Sequence, residues 1–66
     1  MKKYDEQQRL LARIDLLIRL QSTGKAAEFA EKLSISRATL FRQIEYLREK
    51  GALIKYCKDR RTYYYD

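Results

Sequence analysis

The apolar residues of this chain keep one period up to Gly51 and another after it, and that change limits what the chain can fold into. Before Gly51 they recur at helical spacing, so that they gather on single faces of helices. After it they alternate: Ile54 and Tyr56 with Lys55 and Cys57, then Tyr63 and Tyr65 with Tyr64. Alternation is the period of a strand, and the aromatic and β-branched content favours strands as well. No proline interrupts the pattern, and only two glycines, Gly24 and Gly51, punctuate it.

The first stretch, about Asp5 to Gln21, carries Leu10, Leu11, Ile14, Leu17 and Ile18 on one helical face, with Leu16 and Leu20 widening it to one side. Ser22, Thr23 and Gly24 break it, and Gly24 suits a left-handed C-cap. A short second helix is expected from about Ala26 to Leu33, with Phe29, Ala30 and Leu33 inward. Its start is weakly capped, because Lys25 stands where Ser, Thr, Asp or Asn is preferred. Ser34-Ile35-Ser36 reads as a turn, with Ser36 as N-cap of a third helix over about 37–50. Leu40, Ile44 and Leu47 form that helix's buried stripe, and Lys50 with Gly51 closes it. A hairpin over about 53–65 follows, with Lys58-Asp59-Arg60-Arg61 at its charged tip. The fold class is thus mainly α with a small β-hairpin, in one domain over 1–66. Two helices joined by a three-residue turn make the unit that places its second helix in the DNA major groove.

At 66 residues the core is small, and such cores usually need a staple or a partner. With Cys57 as the sole cysteine and no histidine, no internal disulfide and no structural zinc site can form. A homodimer is therefore a candidate assembly, with Leu16 and Leu20 as its contact unless the N-terminal segment or the last strand covers them. Fifteen Lys and Arg against nine Asp and Glu give a net charge of +6, which favours a polyanionic partner or serves solubility alone. The charged N-terminus MKKYDEQQR lacks the apolar run of a signal peptide. Leu16–Leu20 is too short to span a bilayer. No membrane association is expected, a cytoplasmic location is, and Met1 suggests a natural start. Without a histidine, a metal constellation or a glycine-rich phosphate loop, the chain is not expected to be an enzyme.

The run EFAEKLSISRATLFRQIEYLREKGALIKY resembles the type-11 helix-turn-helix of DeoR-like and WYL-domain regulators and of the biotin-operon repressor, and RRTYYY resembles its wing. The likeness extends from about Leu10 to Tyr65. Its most specific part is the spacing Phe29-Ala30, Leu33, Ile35-Ser36, Thr39-Leu40, Arg42, Ile44, Leu47, Gly51. It implies a winged helix-turn-helix of three helices plus wing, and a bacterial transcriptional regulator, or the DNA-binding part of one, whose partner is double-stranded DNA. No cofactor is expected, and the sequence shows no small-molecule site. Four positions depart from the family pattern: Ser34 replaces a frequent glycine in the turn, Lys25-Ala26 replace a capping residue and proline, and Leu53 replaces a proline.

Within that frame the third helix supplies the reading residues. Its first two turns hold Arg37 and Arg42 and no acid, whereas Glu45 and Glu49 come later, so its N-terminal half would enter a phosphate-lined groove. Arg42 is the first candidate for reading a base, because its planar fork can bond guanine bidentately. Arg37 would do the same or hold a phosphate. The hydroxyls of Ser36 and Thr39 suit phosphate oxygens. Ala38 permits close approach and contact with a thymine methyl. Phe41 would pack on the sugar-phosphate wall or on the wing. The plain alternative is a solvated face, with Arg42 paired to Glu45 or Glu49. On the wing, Lys58, Arg60 and Arg61 would reach flanking phosphates or the adjacent minor groove, or form an ordinary charged turn with Asp59.

Other readings remain at this level. A winged helix can serve as a protein–protein adaptor. Tyr56, Tyr63 and Tyr65 could stack on RNA, although their alternation is more simply a packed face with Tyr64 outward. Cys57 has no histidine to activate it, so a nucleophilic role is not expected.

Overall fold

A computed structural model describes residues 2–66, with side chains from Asp5 onward. The elements run α1 (Lys2–Arg19), α2 (Ala26–Leu33), α3 (Arg37–Glu49), β1 (Ile54–Cys57) and β2 (Thr62–Tyr65). The two strands form an antiparallel hairpin that pairs Ile54 with Tyr65 and Tyr56 with Tyr63. This is the three-helix-plus-wing arrangement that the change of period pointed to.

Every element contributes to one core. Ile14 and Ile18 come from α1, Phe29, Ala30 and Leu33 from α2, Leu40 and Ile44 from α3, and Ile54 and Tyr63 from the hairpin. Phe29 is fully buried, and its ring lies 5.5 Å from that of Tyr63. Tyr63 in turn meets Tyr56 edge-on at 4.9 Å. Tyr56 and Tyr65 pack against the core as the alternation required, and Tyr64 is half-buried rather than fully outward. Leu16 and Leu20 are 54% and 61% exposed, so the last strand does not cover them.

The three helices end in the same way. In α1, Gln21 takes a left-handed backbone (φ 51°), its N–H bonds the Ile18 carbonyl, and the Ser22 N–H bonds that of Leu17. In α2, Ser34 (φ 59°) and Ile35 repeat the pattern on Glu31 and Ala30, and in α3 Gly51 (φ 106°) and Ala52 repeat it on Arg48 and Leu47. This double bond satisfies carbonyls that a helix end otherwise leaves open. The assignment of Gly24 as the cap of α1 is thereby corrected: the helix stops at Arg19 and Gln21 caps it. Gly24 instead shapes the entry to α2. Its φ is +72°, and a Cβ there would lie 2.6 Å from Glu28 Oε1. That carboxylate accepts the Lys25 N–H at 2.9 Å, giving α2 the cap that Lys25 cannot supply with its own side chain.

Candidate nucleic-acid interface

The start of α3 is built by Ser36, which sits in extended backbone and accepts the Thr39 N–H on Oγ at 3.1 Å. The two hydroxyls also bond each other at 3.0 Å, and Arg42 Nη2 donates to Thr39 Oγ1 at 3.1 Å. Steps of three residues put Ser36, Thr39 and Arg42 on one stripe of the helix. The Arg42 guanidinium is thus held by a neutral hydroxyl and not by an acid. Glu45 is taken by Arg48 at 2.8 Å, which disposes of the Arg42–Glu45 pair within this geometry. Arg48 also donates to the Ile54 carbonyl through Nε and Nη2, at 3.2 and 2.8 Å, so α3's end is tied to the first strand.

Ser36, Arg37, Ala38, Phe41 and Arg42 are exposed and Thr39 is half-buried. Phe41 is 47% exposed and shares a shallow groove with Arg42, Glu45, Tyr46 and Glu49, with no wing residue among them.

On the wing, Lys58, Asp59, Arg60 and Arg61 form the turn, and Arg61 has left-handed backbone (φ 56°). The structure divides the three cations. Lys58 and Arg61 share a cleft with Lys25 at the start of α2. Arg60 borders a different one with Cys57, Asp59 and Tyr64, and its Nη1 donates to Gln21 Oε1 at 2.8 Å. The wing is also pinned at its root. Thr23 and Thr62, both buried polar side chains, bond through their hydroxyls at 3.1 Å. The Thr23 N–H donates to Thr62 Oγ1 at 3.2 Å, and the Tyr63 N–H to Thr23 Oγ1 at 2.8 Å.

Charge is distributed unevenly over this surface. Among the described residues three ion pairs occur: Asp15–Arg19 at 3.0 Å, Glu45–Arg48 at 2.8 Å and Lys55–Asp66 at 2.9 Å. None includes Lys25, Arg37, Arg42 or the cations of the wing turn. Sequence reasoning found Arg37, Arg42, Lys58, Arg60 and Arg61 from their place in the pattern. It passed over Gln21, Thr23 and Thr62, whose partners lie far along the chain and leave no local signal, and over Lys25, which shares its cleft with residues of the distant wing.

No described helix is long and apolar enough to cross a membrane. Among the described residues, no cluster of Cys, Asp and Glu could hold a metal ion. The profile of a family described as an HTH domain matches residues 9–64, nearly the whole chain. No curated protein and no solved structure matches it.

Proposed function

The chain belongs to the HTH domain family, whose winged helix-turn-helix members are DNA-binding domains, and from that premise we propose that it binds duplex DNA sequence-specifically as a transcriptional regulator or the DNA-binding part of one. The N-terminal half of α3 lies in the major groove, and the wing cations rest on flanking phosphates or in the adjacent minor groove. The observation that carries this reading is the Ser36–Thr39–Arg42 stripe. It presents an exposed guanidinium already oriented by its neighbour, in a stretch with no acid between Glu31 and Glu45. Arg42 reads a base, Arg37 reads a base or holds a phosphate, Ser36 and Thr39 hold phosphate oxygens, and Ala38 lets the helix approach a thymine methyl. Phe41 packs on the sugar-phosphate wall. A single module of this kind buries roughly 600–1,000 Å² on DNA, so two copies on a repeated site would bind far more tightly than one.

The test is a titration of a random duplex pool at several salt concentrations, followed by sequencing of the bound fraction, with Arg42→Ala and the double variant Arg60→Ala/Arg61→Ala run in parallel. Wild type is expected to show a steep salt slope, the wing variant a shallower one, and the Arg42 variant a changed or relaxed selection. Absence of binding at low salt overturns the reading and leaves the adaptor role, whose apolar docking would be insensitive to salt.

A further inference from the structure

The cleft between the wing and the start of α2, about 460 Å³ in volume, combines two kinds of surface. Its floor is Ala26, Tyr56 and Tyr63, an aliphatic group beside two rings in edge contact. Its rim is Lys25, Lys58 and Arg61, all exposed, and none of them in an ion pair among the described residues. No acid lines it, whereas two other clefts include Glu45 and Glu49 or Asp59. Specific small groups are held in pockets of roughly 300–1,000 Å³ with an apolar floor and a few placed polar groups. A rim of three cations over tyrosine rings fits an anion attached to a compact apolar body.

We propose that this cleft is an organophosphate site, taking a phosphate on Lys25, Lys58 and Arg61 and the attached sugar against Ala26, Tyr56 and Tyr63. The phosphate is either a backbone phosphodiester of the bound duplex or that of a free nucleotide, and the two sources are separable. The first rests on the DNA-binding reading above and the second does not. Lys25 is the residue this adds to the wing contacts, and the site joins α2 to the wing through one bound group.

Lys25→Gln tests it against Arg9→Gln, an exposed cation on α1 whose loss changes net charge equally. Folding of both is verified by thermal unfolding. If the duplex supplies the phosphate, the slope of log affinity against log salt falls by about 0.9 for Lys25→Gln. It stays unchanged for Arg9→Gln, and the ring signals of Tyr56 and Tyr63 shift when duplex is added. If the source is a free nucleotide, deoxythymidine monophosphate shifts those ring signals saturably in wild type but not in Lys25→Gln, and inorganic phosphate alone shifts them less. The cleft proposal is overturned if Lys25→Gln matches Arg9→Gln on DNA and the nucleotide leaves the ring signals unmoved. DNA binding that survives this result, with Arg42 still governing the selected sequence, shows that only the cleft has failed. A wild type that binds no duplex overturns the DNA reading, and the nucleotide titration then decides the cleft alone.

Discussion

Thr23 and Thr62 stand 39 residues apart and share a hydroxyl–hydroxyl bond of 3.1 Å in the protein interior. Each also serves a backbone N–H, Thr23 that of Tyr63 and Thr62 that of Thr23. Replacing one by valine keeps the shape and leaves buried donors without a partner. Thr23→Val and Thr62→Val should each cost about 1–3 kcal/mol in urea unfolding. The double variant should cost less than the two together by at least roughly 0.5 kcal/mol, since both lose the same bond. Additive losses would mean that the threonines act independently.

Ser34 has left-handed backbone at an exposed turn position, where a Cβ is unfavourable. Ser34→Gly relieves that strain and gives back part of the gain through greater freedom of the unfolded chain. A net stabilisation of about 0.5–1 kcal/mol is expected, which raises the melting temperature by a few degrees in so small a domain. The turn supplies no side-chain bond from Ser34 that would oppose this. A lowered melting temperature would mean that the left-handed serine carries no strain.

Arg61 combines a left-handed backbone with a wing charge, so two substitutions separate the two properties. Arg61→Gly should leave stability equal or higher while weakening duplex binding and lowering its salt slope by about 0.9. Arg61→Lys should preserve the slope and the strain. Thermal unfolding and salt titration of both variants check this, and equal duplex affinity for Arg61→Gly and wild type would remove Arg61 from the interface.

The Tyr65 hydroxyl donates to Asp15 Oδ1 at 2.6 Å. Burial first, then the bond to Asp15 and its charge, push the phenol up to about 12, against about 10 in the unfolded chain. The folded state therefore holds this proton more tightly than the unfolded one. The contribution is fully present below pH ~10 and is lost as the pH rises from there through about 12. Burial raises Tyr63 too, so the comparison is with Tyr65→Phe. The stability difference between wild type and variant should shrink over that window in urea midpoints, and a constant difference would show that the phenol does not titrate in it.

Much of this fold is written in short-range pattern. The spacing of Ile14, Ile18, Leu40 and Ile44 follows directly from helical period, and the alternation through Tyr63 follows from the pleat. Arg37 and Arg42 were legible because one helix carries them on its acid-free turns. The bonds that aim those groups were not. Gln21, Ser34 and Arg61 adopt left-handed backbone although nothing in their side chains requires it. The helix-ending bonds at Gln21 and Ser34 and the tight wing turn at Arg61 use that conformation, and side-chain propensity does not report it. Thr23 read as a helix breaker, and its partner lies beyond two helices. Lys25 read as a poor cap, and only folding brings it beside Lys58 and Arg61.

The ion pairs have a consequence for how this molecule meets a partner. Along α3 the unpaired cations Arg37 and Arg42 give way to the Glu45–Arg48 pair, and along the hairpin the turn cations give way to Lys55–Asp66. Both elements are electrically lopsided, positive at one end and neutralised at the other. In the field of a polyanion such a body feels a torque before it makes contact, so collisions arrive already turned. Added salt then slows the encounter more than it shortens the life of the complex, and measured rates should show which of the two it alters.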